Sequence, residues 1–147
     1  MDDSRMPLAD VYFFWLENTM KAFKQVKTQL FKEMGIEITS DQWVVLKRAH
    51  EEPGISQREI ASGTFKDPAS ITRILDILEK RGWLDRRKHP TDRRNYSIYL
   101  SEEGVGLVEK ILPKAVKMRQ KGLQGISYEE QLQLKSILSR ITQNFSK

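Results

Sequence analysis

The sequence predicts a mainly α chain of the α+β class, a helix-turn-helix followed by a two-stranded hairpin, set between longer terminal helices. Three observations carry this. Apolar residues recur every three or four positions through most of the chain. Residues 56–81 read as a short helix, a glycine turn and a longer helix with a polar face. A period-two run, Tyr96 to Leu100, follows a loop crowded with arginine.

The first helix is expected from about Leu8 to Lys32. Leu8, Val11, Trp15, Thr19, Phe23, Val26 and Leu30 form its stripe, widened by Tyr12, Leu16 and Phe31, and Gly35 stops it. "TSDQWVVLKRAHEEPG" is a second helix, capped by Thr39 or Ser40 and ended by Pro53-Gly54. The third is short and opens on a capping box, Ser56 with Glu59; Ser62-Gly63-Thr64 then turn the chain. A fourth begins after Asp67, a good N-cap, with Pro68 at the first helical position, where its missing N–H costs nothing. Ile71, Ile74, Leu75 and Leu78 form its buried stripe, and Gly82 ends it.

Two strands are expected at Trp83 to Arg87 and Tyr96 to Leu100, with Tyr96, Ile98 and Leu100 on one face of the second. "KHPTDRRN" between them is longer than a tight turn needs. A fifth helix, Glu102 to Gln120, carries Val105, Val108, Leu112, Ala115 and Met118, with Pro113 expected to kink it. The sixth starts at a Ser127/Glu130 box and carries Leu134, Ile137, Leu138, Ile141 and Phe145. The elements together make a winged helix-turn-helix. The outer helices have apolar stripes too large for one small lobe to cover, so a two-fold homodimer is expected. The organisation is then 1–38, an N-terminal dimerisation helix; 39–101, the winged lobe; and 102–147, C-terminal dimerisation helices.

The 147 residues allow one ordinary domain, and a net charge of +5 is unevenly spread. Residues 80–94 hold seven Lys or Arg against two Asp, whereas 1–79 are net acidic. A focused basic patch fits a polyanion partner; a solvated charge run is the plainer alternative. The chain has no cysteine, which removes disulfides, thiolate metal sites and thiol redox sensing and fits a reducing cytoplasm. The start, "MDDSRMPLAD", lacks the basic opening of a secretory signal, and no apolar run is long enough to span a membrane. His50 and His89 are too far apart for a metal-spaced cluster, and neither a P-loop nor a G-x-G-x-x-G is present. No enzyme, cofactor or metal site is therefore expected.

The run Asp67 to Gly104, "DPASITRILDILEKRGWLDRRKHPTDRRNYSIYLSEEG", strongly resembles the recognition helix and wing of the MarR family of transcriptional regulators. The matching pieces are "ITRILDILEKRGWLDR", "DRR" and "IYLSEEG"; the family closes its wing with a Leu-Thr-x-x-Gly type sequence, here Leu100-Ser101-Glu102-Glu103-Gly104. The resemblance implies a homodimer binding pseudo-palindromic double-stranded DNA, usually a repressor relieved by a small aromatic or anionic effector. The cysteine-based sensing of some members is closed to this chain.

The residues then take candidate roles. Pro68, Ala69, Ser70, Thr72 and Arg73 open the recognition helix and would meet base edges in the major groove. Ser70 and Thr72 suit bases or phosphate; Arg73 suits guanine, a phosphate or a surface ion pair. Ser56, Gln57, Arg86, Arg87, Lys88 and Arg93 are candidate phosphate contacts. Arg94 at the wing tip suits the narrow minor groove, and Asp92, two residues before it, is placed to aim its guanidinium. In the resembled family the matching Asp and Arg play these parts. His89 is a phosphate contact or a solvated residue. Phe23, Lys24, Trp43 and Met118 are candidates for an effector cleft, with Lys24 as the anion partner, although aromatic residues on helical stripes are more often core. A winged-helix module that binds protein instead of specific DNA is the alternative reading.

Overall fold

The computed structural model describes residues 3–64 and 66–146; residues 1, 2 and 147, which fall inside the expected terminal dimerisation segments, lie outside the described residues, as does residue 65. Two compact units divide the chain, 1–115 and 116–147.

The first unit opens with two 3-10 turns, Asp3–Arg5 and Leu8–Asp10, before α1, Tyr12–Glu33. The helix therefore starts four residues later than its apolar stripe. Pro7 precedes the second turn, and the Trp15 indole N–H donates to the Ala9 carbonyl at 2.6 Å, so the stripe is entered through a separate turn. Gly35 then takes φ +68°, the left-handed stop expected of it. Helix α2, Ser40–Glu51, is capped by Thr39: its hydroxyl accepts from the Gln42 N–H while the Gln42 side chain accepts from the Thr39 N–H.

Three strands, not two, form the sheet. β1 is only Ile55–Ser56, β2 is Leu84–Lys88 and β3 is Tyr96–Leu100, in the antiparallel order β1-β3-β2. Ile55 faces Ile98 and Ser56 faces Ser97, so β3 is central. That explains a departure from the alternation: Ser97, expected on the open face, is buried, while Tyr96 is exposed. Trp83 lies outside β2 yet is buried.

Between β1 and β2 stand α3, Gln57–Gly63, and α4, Pro68–Lys80. Ser56 and Glu59 form the expected reciprocal cap of α3, and Asp67 caps α4 by accepting from the Ser70 N–H. Residues 62 and 63 stay in α3 instead of turning the chain. Ile60, Ile71, Leu75 and Leu78 meet Leu46, Leu84 and Ile98 in the core. These side chains fix the angle between α3, α4 and the sheet.

Helix α5, Glu102–Gly122, runs unbroken through Pro113. Its entry explains the Leu-Ser-Glu-Glu-Gly motif. The Ser101 hydroxyl donates to the Gly82 carbonyl (2.6 Å) and accepts from the Gly104 N–H (3.1 Å), tying α5 to the end of α4. A Cβ on Gly104 would stand 2.0 Å from the Trp83 carbonyl oxygen, so only glycine fits there. Val108, Ile111 and Ala115 are buried; Ile111 lay outside the predicted stripe.

The second unit holds the end of α5 and α6, Tyr128–Phe145, opened by the Ser127/Glu130 cap. No described residue of α6 is buried. Leu132, Leu134, Ile137, Leu138 and Phe145 are all exposed in the single chain.

Candidate nucleic-acid interface

Helix α4 presents its N-terminal turn beside α3. Pro68, Ala69 and Arg73 are exposed, and Ser70 and Thr72 are half-buried. Asp67 organises the turn: Oδ1 accepts from the Ser70 N–H at 2.9 Å and Oδ2 from the Ser70 hydroxyl at 2.6 Å. These hydrogen bonds, above all the hydroxyl one, hold the Asp67 carboxyl below the usual carboxylate range. An Arg73 Nη2–H donates to Ser70 Oγ at 3.3 Å.

Ser56 and Gln57 sit deeper than their candidate roles suggest. Ser56 is buried and its hydroxyl is occupied by capping α3. Gln57 donates from Nε2 to Thr72 Oγ1 at 2.8 Å, joining α3 to α4.

The wing is the β2–β3 hairpin. Its loop is held by side chains as much as by backbone. His89 Nδ1 accepts from the N–H groups of Thr91 (3.3 Å) and Asp92 (3.2 Å), so the neutral ring carries its hydrogen on Nε2. The Asn95 side chain accepts from the Tyr96 N–H at 3.0 Å. His89 is thus a loop organiser; the H-P-T-D spacing carried that signal.

Two expectations change here. Asp92 does not aim the Arg94 guanidinium through a side-chain pair. It accepts from the Arg94 backbone N–H at 3.0 Å, and its other oxygen lies 3.9 Å from Arg58 Nη2 of α3. A short carboxylate two residues upstream closes on the backbone more readily than on a long side chain. The turn fixes where Arg94 leaves the loop, and Arg93 and Arg94 both stay exposed.

Arg86 is also not a free phosphate contact. Its side chain is only 19% exposed; Nη2 lies 2.6 Å from Asp76 Oδ1 and 3.1 Å from Glu79 Oε1, both on α4. The Arg86 backbone N–H donates to Glu79 Oε2 at 3.1 Å. The physical reason is register: β2 packs along α4, and Arg86, paired with the buried Ile98 of β3, is brought over two carboxylates one helical turn apart. Hydrogen bonding to Arg86 holds the Glu79 carboxyl below its ordinary value. Arg87 points outward with its guanidinium 4.1 Å from the Tyr99 ring centre, and Lys88 is exposed at the strand end.

The module therefore joins a capped recognition helix to a basic wing through one arginine. Residues 38–96, from before α2 to the start of β3, match the family model described as MarR family. Over that lobe the chain is similar to the MarR family. The likeness to solved structures runs beyond that lobe. The PcaV transcriptional regulator of Streptomyces coelicolor, in complex with its natural ligand, is 25% identical with a TM-score of 0.80, over 94% of this chain and 96% of that one. CouR of Rhodococcus jostii RHA1, bound to p-coumaroyl-CoA, is also 25% identical, with a TM-score of 0.80 over 92% and 94%. S. aureus MepR in a complex with DNA shares the fold at 24% identity, with a TM-score of 0.80 over 91% and 98%.

The effector candidates differ in their surroundings. Trp43 is buried and packs against Phe31, with ring centres 6.3 Å apart, so it belongs to the core. Phe23 is half-buried and Lys24 exposed; Met118 is half-buried in the second unit. The residue missed was Lys27. It is only 7% exposed, and its Nζ lies 4.7 Å from the Phe23 ring centre. Burial pushes its pKa below the ordinary value, partly countered by Asp41 and aided by Lys24. A lysine between Phe23 and Phe31 on an apolar stripe was the signal available in the sequence.

Proposed function

We propose that this protein is a sequence-specific, double-stranded-DNA-binding transcriptional regulator that acts as a homodimer on a pseudo-palindromic operator, a repressor relieved by a small aromatic or anionic effector. The observation that carries this reading is the pairing of two surfaces. The capped N-terminal turn of α4 exposes Arg73, and the wing beside it exposes Arg87, Lys88, Arg93 and Arg94. Helix into major groove, wing tip into minor groove and strand-end cations on phosphates follow from the sizes and charges of those grooves.

The three-part organisation, with 1–38 and 102–147 for dimerisation about a lobe at 39–101, accounts for the exposed apolar residues. Leu8, Tyr12, Phe13 and Trp15 near the start and Leu134, Ile137, Leu138 and Phe145 near the end are too many to leave in water. In the effector role Lys27 replaces Lys24 as the anion partner, with Phe23 beside it: a buried ammonium gains most from an arriving carboxylate. The ligands named for PcaV and CouR support regulation of this kind, and MepR on DNA supports the nucleic-acid role. No described helix is long and apolar enough to cross a membrane, and we place the protein in the cytoplasm with its DNA.

Fluorescence anisotropy on the DNA upstream of its own gene, against scrambled DNA over a salt series, tests the reading. Preferential binding that falls about 10³–10⁵-fold from 50 to 200 mM salt is expected for 6–10 phosphate contacts per dimer. Absence of binding to any DNA at low salt overturns it.

A further inference from the structure

The recognition turn has a hydrogen-bonding polarity. A hydroxyl has one hydrogen to donate. Ser70 donates its hydrogen to Asp67 Oδ2, 2.6 Å away, because a carboxylate can only accept. Thr72 donates its hydrogen to the Pro68 carbonyl at 3.0 Å, for the same reason. Each oxygen is then held from the far side by a donor, Ser70 by Arg73 at 3.3 Å and Thr72 by Gln57 at 2.8 Å. With the Thr72 hydrogen spent, the Gln57 amide must face it nitrogen first. Gln57 Oε1 is left buried without a hydrogen-bond partner among the described residues.

Resting on the reading of this chain as a DNA-binding protein, we infer that the N-terminal turn of α4 is an acceptor surface that selects an exocyclic amino group, adenine N6 or cytosine N4, through Thr72. Toward DNA, Ser70, Thr72 and the Asp67 carboxylate can only accept. In the major groove the only donors are those two amines, whereas guanine N7 and O6, adenine N7 and thymine O4 accept. Phosphate oxygens accept as well, so neither hydroxyl serves as a phosphate contact in this arrangement. Arg73 is the donor side chain of the turn and takes a neighbouring guanine. Gln57 is a positioning residue: it acts through Thr72.

The test has two stages. Selection from random duplexes with the full chain and with Thr72→Val locates the operator position whose preference depends on Thr72. At that position the amine is deleted chemically, purine replacing adenine or 2-pyrimidinone replacing cytosine, with 7-deazaadenine as the acceptor-deletion control for an adenine. Deleting the amine should weaken wild-type binding about 2–10-fold more than it weakens Thr72→Val, as expected for one hydrogen bond, and the 7-deaza control should show no such difference. Thr72→Ser should behave as wild type, and Gln57→Met should lose part of the preference while melting as a folded protein. Equal amine effects in wild type and Thr72→Val, a Thr72-dependent effect of the 7-deaza base, or no position that responds to Thr72 overturns the inference alone. Selection that enriches no sequence with the wild-type protein overturns the DNA-binding reading itself.

Discussion

Replacing Arg86 by Met separates two roles that its place in the wing would otherwise confuse. Methionine keeps most of the aliphatic packing and removes the guanidinium. Arg86 reaches two carboxylates: Nη2 to Asp76 at 2.6 Å and to Glu79 at 3.1 Å, and Nε to Glu79 at 3.4 Å. A pair of unit charges at ~4 Å would interact by about 4 kcal/mol at an effective dielectric of about 20. That is a ceiling, because the Asp76 and Glu79 side chains are 55% and 40% exposed, and exposed pairs contribute about 0.2–1 kcal/mol. The Arg86 head is itself mostly covered and makes several charge-assisted bonds, which lifts the expectation above a surface pair. Its loss also leaves Asp76 and Glu79 facing each other three residues apart, at a cost of a few tenths of a kcal/mol. A loss of about 1.5 kcal/mol is therefore expected for Arg86→Met, with a coupling of about 1 kcal/mol in a double-mutant cycle with Glu79→Gln, read by urea denaturation.

The same contact has a pH signature. The folded Glu79 carboxyl is held below its ordinary value of 4.5. A depressed carboxyl contributes stability that is fully present above its unfolded pKa and lost as pH falls through the folded one. Wild type and Arg86→Met should differ most above about pH 5 and converge in acid. An arginine on a phosphate would behave otherwise: stability unchanged, and the salt slope of DNA binding smaller by about one. That pattern would refute the α4–wing clamp.

Four further substitutions have expected outcomes. Gly104→Ala should destabilise by about 3 kcal/mol or more by thermal melting, since its Cβ would stand 2.0 Å from the Trp83 carbonyl oxygen and backbone must move. Arg94→Ala should melt as wild type yet weaken operator binding by about 1–3 kcal/mol in anisotropy. Lys27→Met should be at least as stable as wild type at neutral pH, with the advantage shrinking as pH rises toward the ordinary lysine value of 10.5, where burial no longer opposes a charge. The same variant should lose its thermal-shift response to aromatic carboxylates. Leu138→Glu on α6 should shift the particle from dimer to monomer in light scattering, and weaken DNA binding steeply because two half-sites are then bound independently.

What the sequence revealed and what it concealed divide along the range of the interactions. Caps are local: Thr39 with Gln42, Ser56 with Glu59, Asp67 with Ser70 and Ser127 with Glu130 each lie within three residues, and each predicted helix start they mark is found. The recognition turn was legible for the same reason. Strand β1 was not, because two residues have no period; Ile55 and Ser56 become a strand only by meeting Ile98 and Ser97. That pairing buries Ser97, which alternation alone places outside.

Arg86 is the sharper case. In sequence it is one of three consecutive cations, equal to Arg87 and Lys88. Only the register of β2 on β3 and the seating of β2 on α4 single it out, and they turn an expected phosphate contact into a tie between α4 and the wing. The consequence is functional. A wing attached only through its loop ends would sample many angles against α4, and in the proposed complex it would bear an ordering cost on meeting the minor groove. An arginine bound to Asp76 and Glu79 places that constraint in the free protein, so Arg94 arrives at a nearly fixed distance from Arg73. On the proposed DNA-binding reading, the spacing between the major-groove and minor-groove contacts of each half-site would be set by this salt-bridged strand and helix together with the Asp92 turn.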